Sequence, residues 1–211
     1  MPAAGEADSV AHLRAADPVL GDVIDAVLAS GVPPRARVRP PNHYGALVRS
    51  ICGQQLSVRA AAAIYDRLCQ RFGGRTPSPE EVLADDPEAL RAAAGLSRAK
   101  VASLHSLAEH VSSGALELER LDELDDAAIE DELVAVRGIG TWTAHMFLIF
   151  HLERPDVLAW GDLGVRAGAR RAYGLAELPD RSELELLAEP WRPWRSMACR
   201  YLWRSLDAMP A

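Results

Sequence analysis

Cysteine and lysine are both scarce in this 211-residue chain. Its three cysteines, Cys52, Cys69 and Cys199, cannot all pair and show no CxxC spacing. A disulfide framework, a structural zinc site and a cysteine-held iron–sulfur cluster are thereby excluded. Lysine occurs once, at Lys100, beside 22 arginines, so any mechanism that needs a lysine nucleophile has one side chain to draw on. No apolar run approaches the ~18–20 residues of a membrane span. The amino terminus also lacks a basic start followed by an apolar core. Together these absences point to a cytoplasmic protein. No alternating apolar/polar pattern persists over a strand length, and the fold class is read as all-α.

What remains is an ordinary globular composition, 49% hydrophobic and 25% charged, enough for one domain or two small lobes. The net charge of −7 argues against indiscriminate wrapping around nucleic acid. That charge is unevenly spread. Residues 115–132 hold nine acids against Arg120, a local −8 that leaves the remainder of the chain at +1. A neutral or basic face is compatible with that balance.

Helical punctuation runs through the chain. Asp17-Pro18 opens a helix with Leu20, Val23, Ile24, Val27 and Leu28 on one face. Residues 32–41, with four prolines and three arginines, read as an extended connector or arm. Further helices are expected from Tyr44 to about Cys52, from Ser57 to Phe72, from Asp86 to Gly95, from Ser97 to Gly114 and from about Asp125 to Gly138. The stretch Trp142–Leu152 is apolar on nearly all sides and should be a buried central helix. Shorter helices are expected near 163–173 and 182–188, with a last one from about Pro193 to Leu206.

Two turns share one grammar, helix–Gly–apolar–small–helix: Gly95-Leu96-Ser97 and Gly138-Ile139-Gly140. In the second, Gly138 and Gly140 permit positive φ and close approach of another backbone, while Ile139 tucks into the core. The helix that follows offers unpaired amides where a phosphate can be held, with Thr141 and Thr143 adding hydroxyls. For Gly95 alone a plain glycine-capped turn is the better account.

The string Val136-Arg137-Gly138-Ile139-Gly140-Thr141-Trp142-Thr143-Ala144, followed by Arg154-Pro155-Asp156 and Gly161-Asp162-Leu163-Gly164-Val165-Arg166, resembles the helix-hairpin-helix DNA glycosylases. Within them it looks like the DNA-3-methyladenine glycosylase II branch, in the compact form without an amino-terminal β domain. Gly53-Gln54-Gln55-Leu56-Ser57, Gly95-Leu96-Ser97 with Lys100, and Trp191-Arg192-Pro193-Trp194-Arg195 agree, so the likeness covers roughly 42–205. The resemblance implies a two-lobed helical fold with the active site in the cleft between lobes. The expected division is 1–41 (amino-terminal helix and connector packing on the second lobe), 42–140 (central lobe ending in the hairpin) and 141–211 (hairpin helix, catalytic loop and carboxy-terminal helices).

The same resemblance implies roles for particular residues. Asp162 is the catalytic candidate, stabilising an oxocarbenium-like sugar and orienting water, although an Asp at this point is also a good helix N-cap. Trp142 and Trp160 are candidates for a base pocket whose indole faces attract cationic, alkylated purines; core packing is the alternative, above all for Trp160. Gly138, Ile139, Gly140 and Thr143 are expected at the DNA backbone. Gln54, Gln55 and Leu56 share the place of the gap-filling wedge, and Ser57 is a minor-groove contact or simply a cap. Trp142 stands where bifunctional relatives carry the Schiff-base lysine, which leaves Lys100 as a phosphate or surface contact. His145 and His151 are not read as ligands, and the carboxy-terminal arginines and tryptophans suit a nucleic-acid surface or a packed last helix equally. The expected activity is monofunctional excision of 3-methyladenine- and 7-methylguanine-type bases after nucleotide flipping. No second acid is seen to protonate a leaving base, so cationic lesions should be favoured. A non-catalytic hairpin module and a bifunctional glycosylase/lyase are the alternatives. The partner is double-stranded DNA carrying alkylated bases; a monomer, nucleoid-associated in a bacterial-type cytoplasm, is expected. No metal and no cofactor are called for beyond a monovalent cation at the hairpin.

Overall fold

A computed structural model describes residues 4–33, 40 and 42–208 of the chain. Twelve α-helices order the described residues, and no strand occurs among them. The helices are α1 (Ala4–Ala16), α2 (Pro18–Ala29), α3 (His43–Gly53), α4 (Val58–Arg71), α5 (Pro79–Ala84), α6 (Pro87–Ala94), α7 (Arg98–Ser112), α8 (Asp126–Val134), α9 (Thr141–Phe150), α10 (Leu163–Ala172), α11 (Arg181–Leu187) and α12 (Arg195–Ala208). Short 3-10 turns lie at Leu118–Glu123 and Glu189–Trp191. None of the helices is long and apolar enough to cross a membrane.

Side-chain caps fix most helix starts. Asp17, Asn42, Ser57, Ser78, Asp86, Ser97, Asp125, Asp162 and Asp180 each accept an amide three residues on. Each cap satisfies a donor that the first turn leaves orphaned, for about 1 kcal/mol. Two helices were not anticipated. Helix α1 lacks a continuous apolar stripe, and α5 has only six residues, too few to show a period. Most of the 32–41 connector, residues 34–39 and 41, lies outside the described residues.

The chain forms two compact units. One is discontinuous, gathering α1 and α2 with everything from Glu153 onward. Helix α2 buries Leu20, Val23, Ile24 and Val27 and packs on α1, α10 and α12. Asp17 ties this unit together beyond its capping role: the Tyr173 hydroxyl and Trp191 Nε1 both donate to its Oδ2, the latter at 2.8 Å. Burial and the neighbouring Asp17 charge push the Tyr173 hydroxyl well above the ordinary phenol range.

The other unit is continuous and holds α3 to α9. At its centre α9 buries every residue from Thr143 to Ile149, as an all-round apolar helix should. The expected division placed a boundary at 140/141. Helix α9 packs on α8 and α3, so the unit runs on to Leu152. Burial raises the thiols of Cys52 and Cys199 to about 12, which makes them inert packing groups.

Candidate functional site

The hairpin joins α8 to α9 through Gly138, whose φ of +84° suits only glycine without strain. A Cβ at Gly138 would also stand 1.9 Å from Ser103 Oγ, so the turn lies directly on α7. The Arg137 amide donates to Ser106 Oγ at 3.2 Å, one turn further along α7. Ile139 is 3% exposed and pins the turn to the core, as expected. Gly140 differs from the expectation of a second left-handed residue. Its φ is −105°, and nothing lies within 4 Å of where its Cβ would be. Neither backbone nor packing inside the protein calls for glycine at this point.

Helix α9 starts on Gly140 with no side-chain cap. Its first turn therefore keeps the amino-terminal character that favours an anion. Thr143 does not add to it. That residue is 2% exposed, and its Oγ1 accepts from Gln54 Nε2 at 3.1 Å, so its hydroxyl is turned inward rather than toward a phosphate. Trp142, in the same first turn, is 40% exposed.

The segment after α3 separates its three wedge candidates. Gln54 is turned onto the protein, Nε2 donating to Gly138 O at 2.8 Å as well as to Thr143. Gln55 follows with φ +58° and is exposed; Leu56 is 41% exposed. Ser57 caps α4 through Ala60 N at 3.3 Å. Lys100, expected as a phosphate or surface contact, is tied to the protein. Its Nζ donates to Cys52 O at 2.8 Å, and burial lowers its pKa.

In the discontinuous unit, Asp162 caps α10. Its Oδ1 accepts from Val165 N at 2.9 Å and from Trp203 Nε1 at 2.7 Å. Trp203 was not singled out from the sequence as a partner of the candidate carboxylate. It reaches Asp162 because α10 and α12 come very close. A Cβ at Gly164 would meet Trp203 Cδ1 at 2.8 Å, and one at Gly168 would meet Leu202 O at 2.8 Å. Two glycines four residues apart on α10 are the sequence signal of that approach; of the two, only Gly164 stood in a motif.

Trp160 is half-buried, and the Arg181 guanidinium lies over its ring, 4.6 Å from the centroid. The cation-attracting face expected for a base thus already carries a cation. Three of the carboxy-terminal arginines are held by partners within the protein. Arg195 forks onto Asp156 at 2.7 and 3.0 Å, Arg192 reaches the same carboxylate at 2.8 Å, and Arg204 donates to Val32 O. Trp191 is fully buried. His145 faces Glu130 at 3.3 Å and His151 Nε2 faces His43 Nδ1 at 2.9 Å. Among the described residues no group of three or more His, Cys, Asp or Glu is placed to hold a metal.

Comparison with known proteins agrees with this arrangement. Residues 48–193 match the HhH-GPD superfamily base excision DNA repair protein model. The chain is 35% identical over 174 residues to DNA-3-methyladenine glycosylase 1 of Schizosaccharomyces pombe, covering 82% of this chain and 76% of that one. It is 30% identical over 165 residues to DNA-3-methyladenine glycosylase 2 of Escherichia coli, covering 74% of this chain but 55% of that longer protein. Among solved structures it superposes on the S. pombe 3-methyladenine DNA glycosylase in complex with abasic DNA, with a TM-score of 0.84 and 32% identity. That match covers 95% of this chain and 97% of the other. The DNA-3-methyladenine glycosidase of Bacillus halodurans matches with a TM-score of 0.78 and 36% identity, over 96% and 89% of the two chains. With its family model spanning most of the chain over the same hairpin and carboxylate segments, the chain belongs to the HhH-GPD superfamily of base excision DNA repair proteins.

Proposed function

We propose that the chain is a monofunctional DNA glycosylase that hydrolyses the N-glycosidic bond of alkylated bases in duplex DNA and leaves an abasic site. The observation that carries this reading is the fixed carboxylate. Val165 N and Trp203 Nε1 both hold Asp162 Oδ1, so the group has one orientation before any substrate arrives. A preorganised anion of this kind stabilises the positive charge that develops on the sugar as the base departs, and it orients the attacking water. The uncapped first turn of α9 supplies the phosphate grip, and Trp142, 40% exposed in that turn, is the aromatic group assigned to stack on an extruded base. Bases of the 3-methyladenine and 7-methylguanine type suit that chemistry, because their ring charge weakens the bond without a proton donor.

The protein acts as a monomer in the cytoplasm on this reading, and the reaction consumes water alone. A monovalent cation on the main-chain carbonyls of the hairpin fits the turn only in part, because Gly138 O already accepts from Gln54 Nε2. Asp162→Asn is the decisive variant. Asparagine caps helices as well as aspartate does and keeps the acceptor for Val165 and Trp203, so only the charge is removed. Single-turnover excision from methylated duplex is expected to fall by about a hundredfold or more, the loss typical of removing one preorganised electrostatic group. Binding to the same duplex should be unchanged. A rate within tenfold of the parent would remove Asp162 from the catalytic role, and a parent that excised no base would leave a hairpin module that binds DNA without cutting.

A further inference from the structure

Helix α7 carries three polar residues on one stripe, Lys100, Ser103 and Ser106, spaced i, i+3 and i+6. Each meets a different main-chain point. Lys100 Nζ donates to Cys52 O in the last turn of α3, where carbonyls lack intrahelical partners and the helix end attracts a cation. Ser103 lies against Gly138 so closely that no side chain fits between them. Ser106 Oγ accepts the Arg137 amide. Gln54 closes the figure by donating to Gly138 O and Thr143 Oγ1. The root of the loop after α3 and the hairpin turn are thus fastened to one helix and to each other. What this leaves pointing outward is Gln55, in a left-handed conformation that glutamine seldom adopts, and Leu56 beside it. Such a conformation persists only where its surroundings hold it.

We propose that Lys100 and Gln54 are positioning residues that brace the Gln55 tip against the hairpin, so that seating the hairpin on phosphate sets how deeply the tip enters the duplex. The proposal rests on the glycosylase reading. Lys100 acts through the Cys52 carbonyl and does not itself touch DNA. The ordering of the loop is completed when the chain folds, so it does not have to be completed at each encounter with DNA.

The test uses the full chain and two duplexes of one sequence, undamaged or carrying a tetrahydrofuran abasic analogue, with 2-aminopurine beside the analogue to report unstacking. Lys100→Met keeps the length of the side chain and removes the donor. It should lower the preference for the abasic duplex about tenfold, one broken positioning contact at 1.4 kcal/mol per decade. Affinity for undamaged duplex should stay within about twofold, and the 2-aminopurine signal should fall in parallel. Lys100→Arg, which restores a cationic donor, should recover most of the preference. Gln54→Met should behave as Lys100→Met does, and it carries the test alone if Lys100→Met fails to fold. Equal weakening toward both duplexes would make Lys100 a phosphate contact and overturn the brace, as would an unchanged preference in both variants. A parent with no abasic preference at all would instead bring down the glycosylase reading, and the brace with it.

Discussion

The turns at Gly95-Leu96-Ser97 and Gly138-Ile139-Gly140 are near copies in sequence and opposites in use. Both place a left-handed glycine after a helix, and both sink the next residue into the core. The helices that follow start differently. At α7 the Ser97 hydroxyl accepts the Lys100 amide and completes the end of the helix. At α9 Gly140 offers no side chain, and the end stays open. Their closeness to neighbours differs as well. A Cβ at Gly95 would meet the Arg67 guanidinium at 2.9 Å, a group that itself donates to Ala94 O at 3.0 Å, whereas one at Gly138 would collide with Ser103 near its backbone. A capped turn joins helices. An uncapped one, held hard from behind, has a surface left to offer.

Four substitutions sharpen or break that contrast. The largest effect should come from Gly138→Ala, which combines an unfavourable φ with overlap against Ser103; a loss of about 3 kcal/mol or more is expected from the denaturation midpoint. Gly95→Ala, where Arg67 can move by giving up its bond to Ala94 O, should lose about 2 kcal/mol. Equal losses would show that the two turns are packed alike after all. Next is Gly140→Asp, which supplies the missing cap in open space at a φ that aspartate readily adopts. Stability should hold or rise by a few tenths of a kcal/mol. Affinity for damaged and undamaged duplex alike should drop about tenfold or more, with a shallower salt dependence. A folded Gly140→Asp that still bound normally would mean that the open helix end is not the phosphate grip. Ser97→Ala comes last: about 1 kcal/mol of stability should be lost with duplex affinity unchanged within about threefold. A loss of affinity larger than the loss of stability would put both turns on DNA.

What the sequence disclosed follows the range of each interaction. Caps act over three residues, and Asp17, Ser57, Asp86, Ser97 and Asp125 could be read directly as helix starts, each now seen accepting its amide. Asp162 was legible through its place in a motif, and its capping role through its place before α10. The rest depends on contacts between distant segments. Trp203 reaches Asp162 from another helix, Arg181 covers Trp160 from α11, and Gln54 turns toward a carbonyl in the hairpin. Gln54 and Gln55 are adjacent, identical residues, so no local rule distinguishes them; only the fold sends one inward and the other out. Gly138 and Gly140 likewise read as a matched pair, yet only the first has positive φ.

The discontinuity of the unit built from both ends of the chain has a consequence during synthesis. Segments 38–152 emerge in one piece and can close while the remainder is still being made. Helix α2 has to wait for α12, one of the helices on which its apolar face packs. At ribosomal rates of ~5–20 residues per second that delay is roughly ten to thirty seconds, during which Leu20, Val23, Ile24 and Val27 are a target for chaperones or for other nascent chains. A ribosome that stalls before Trp203 therefore releases a chain whose hairpin segment is complete but whose Asp162 still lacks its Trp203 partner.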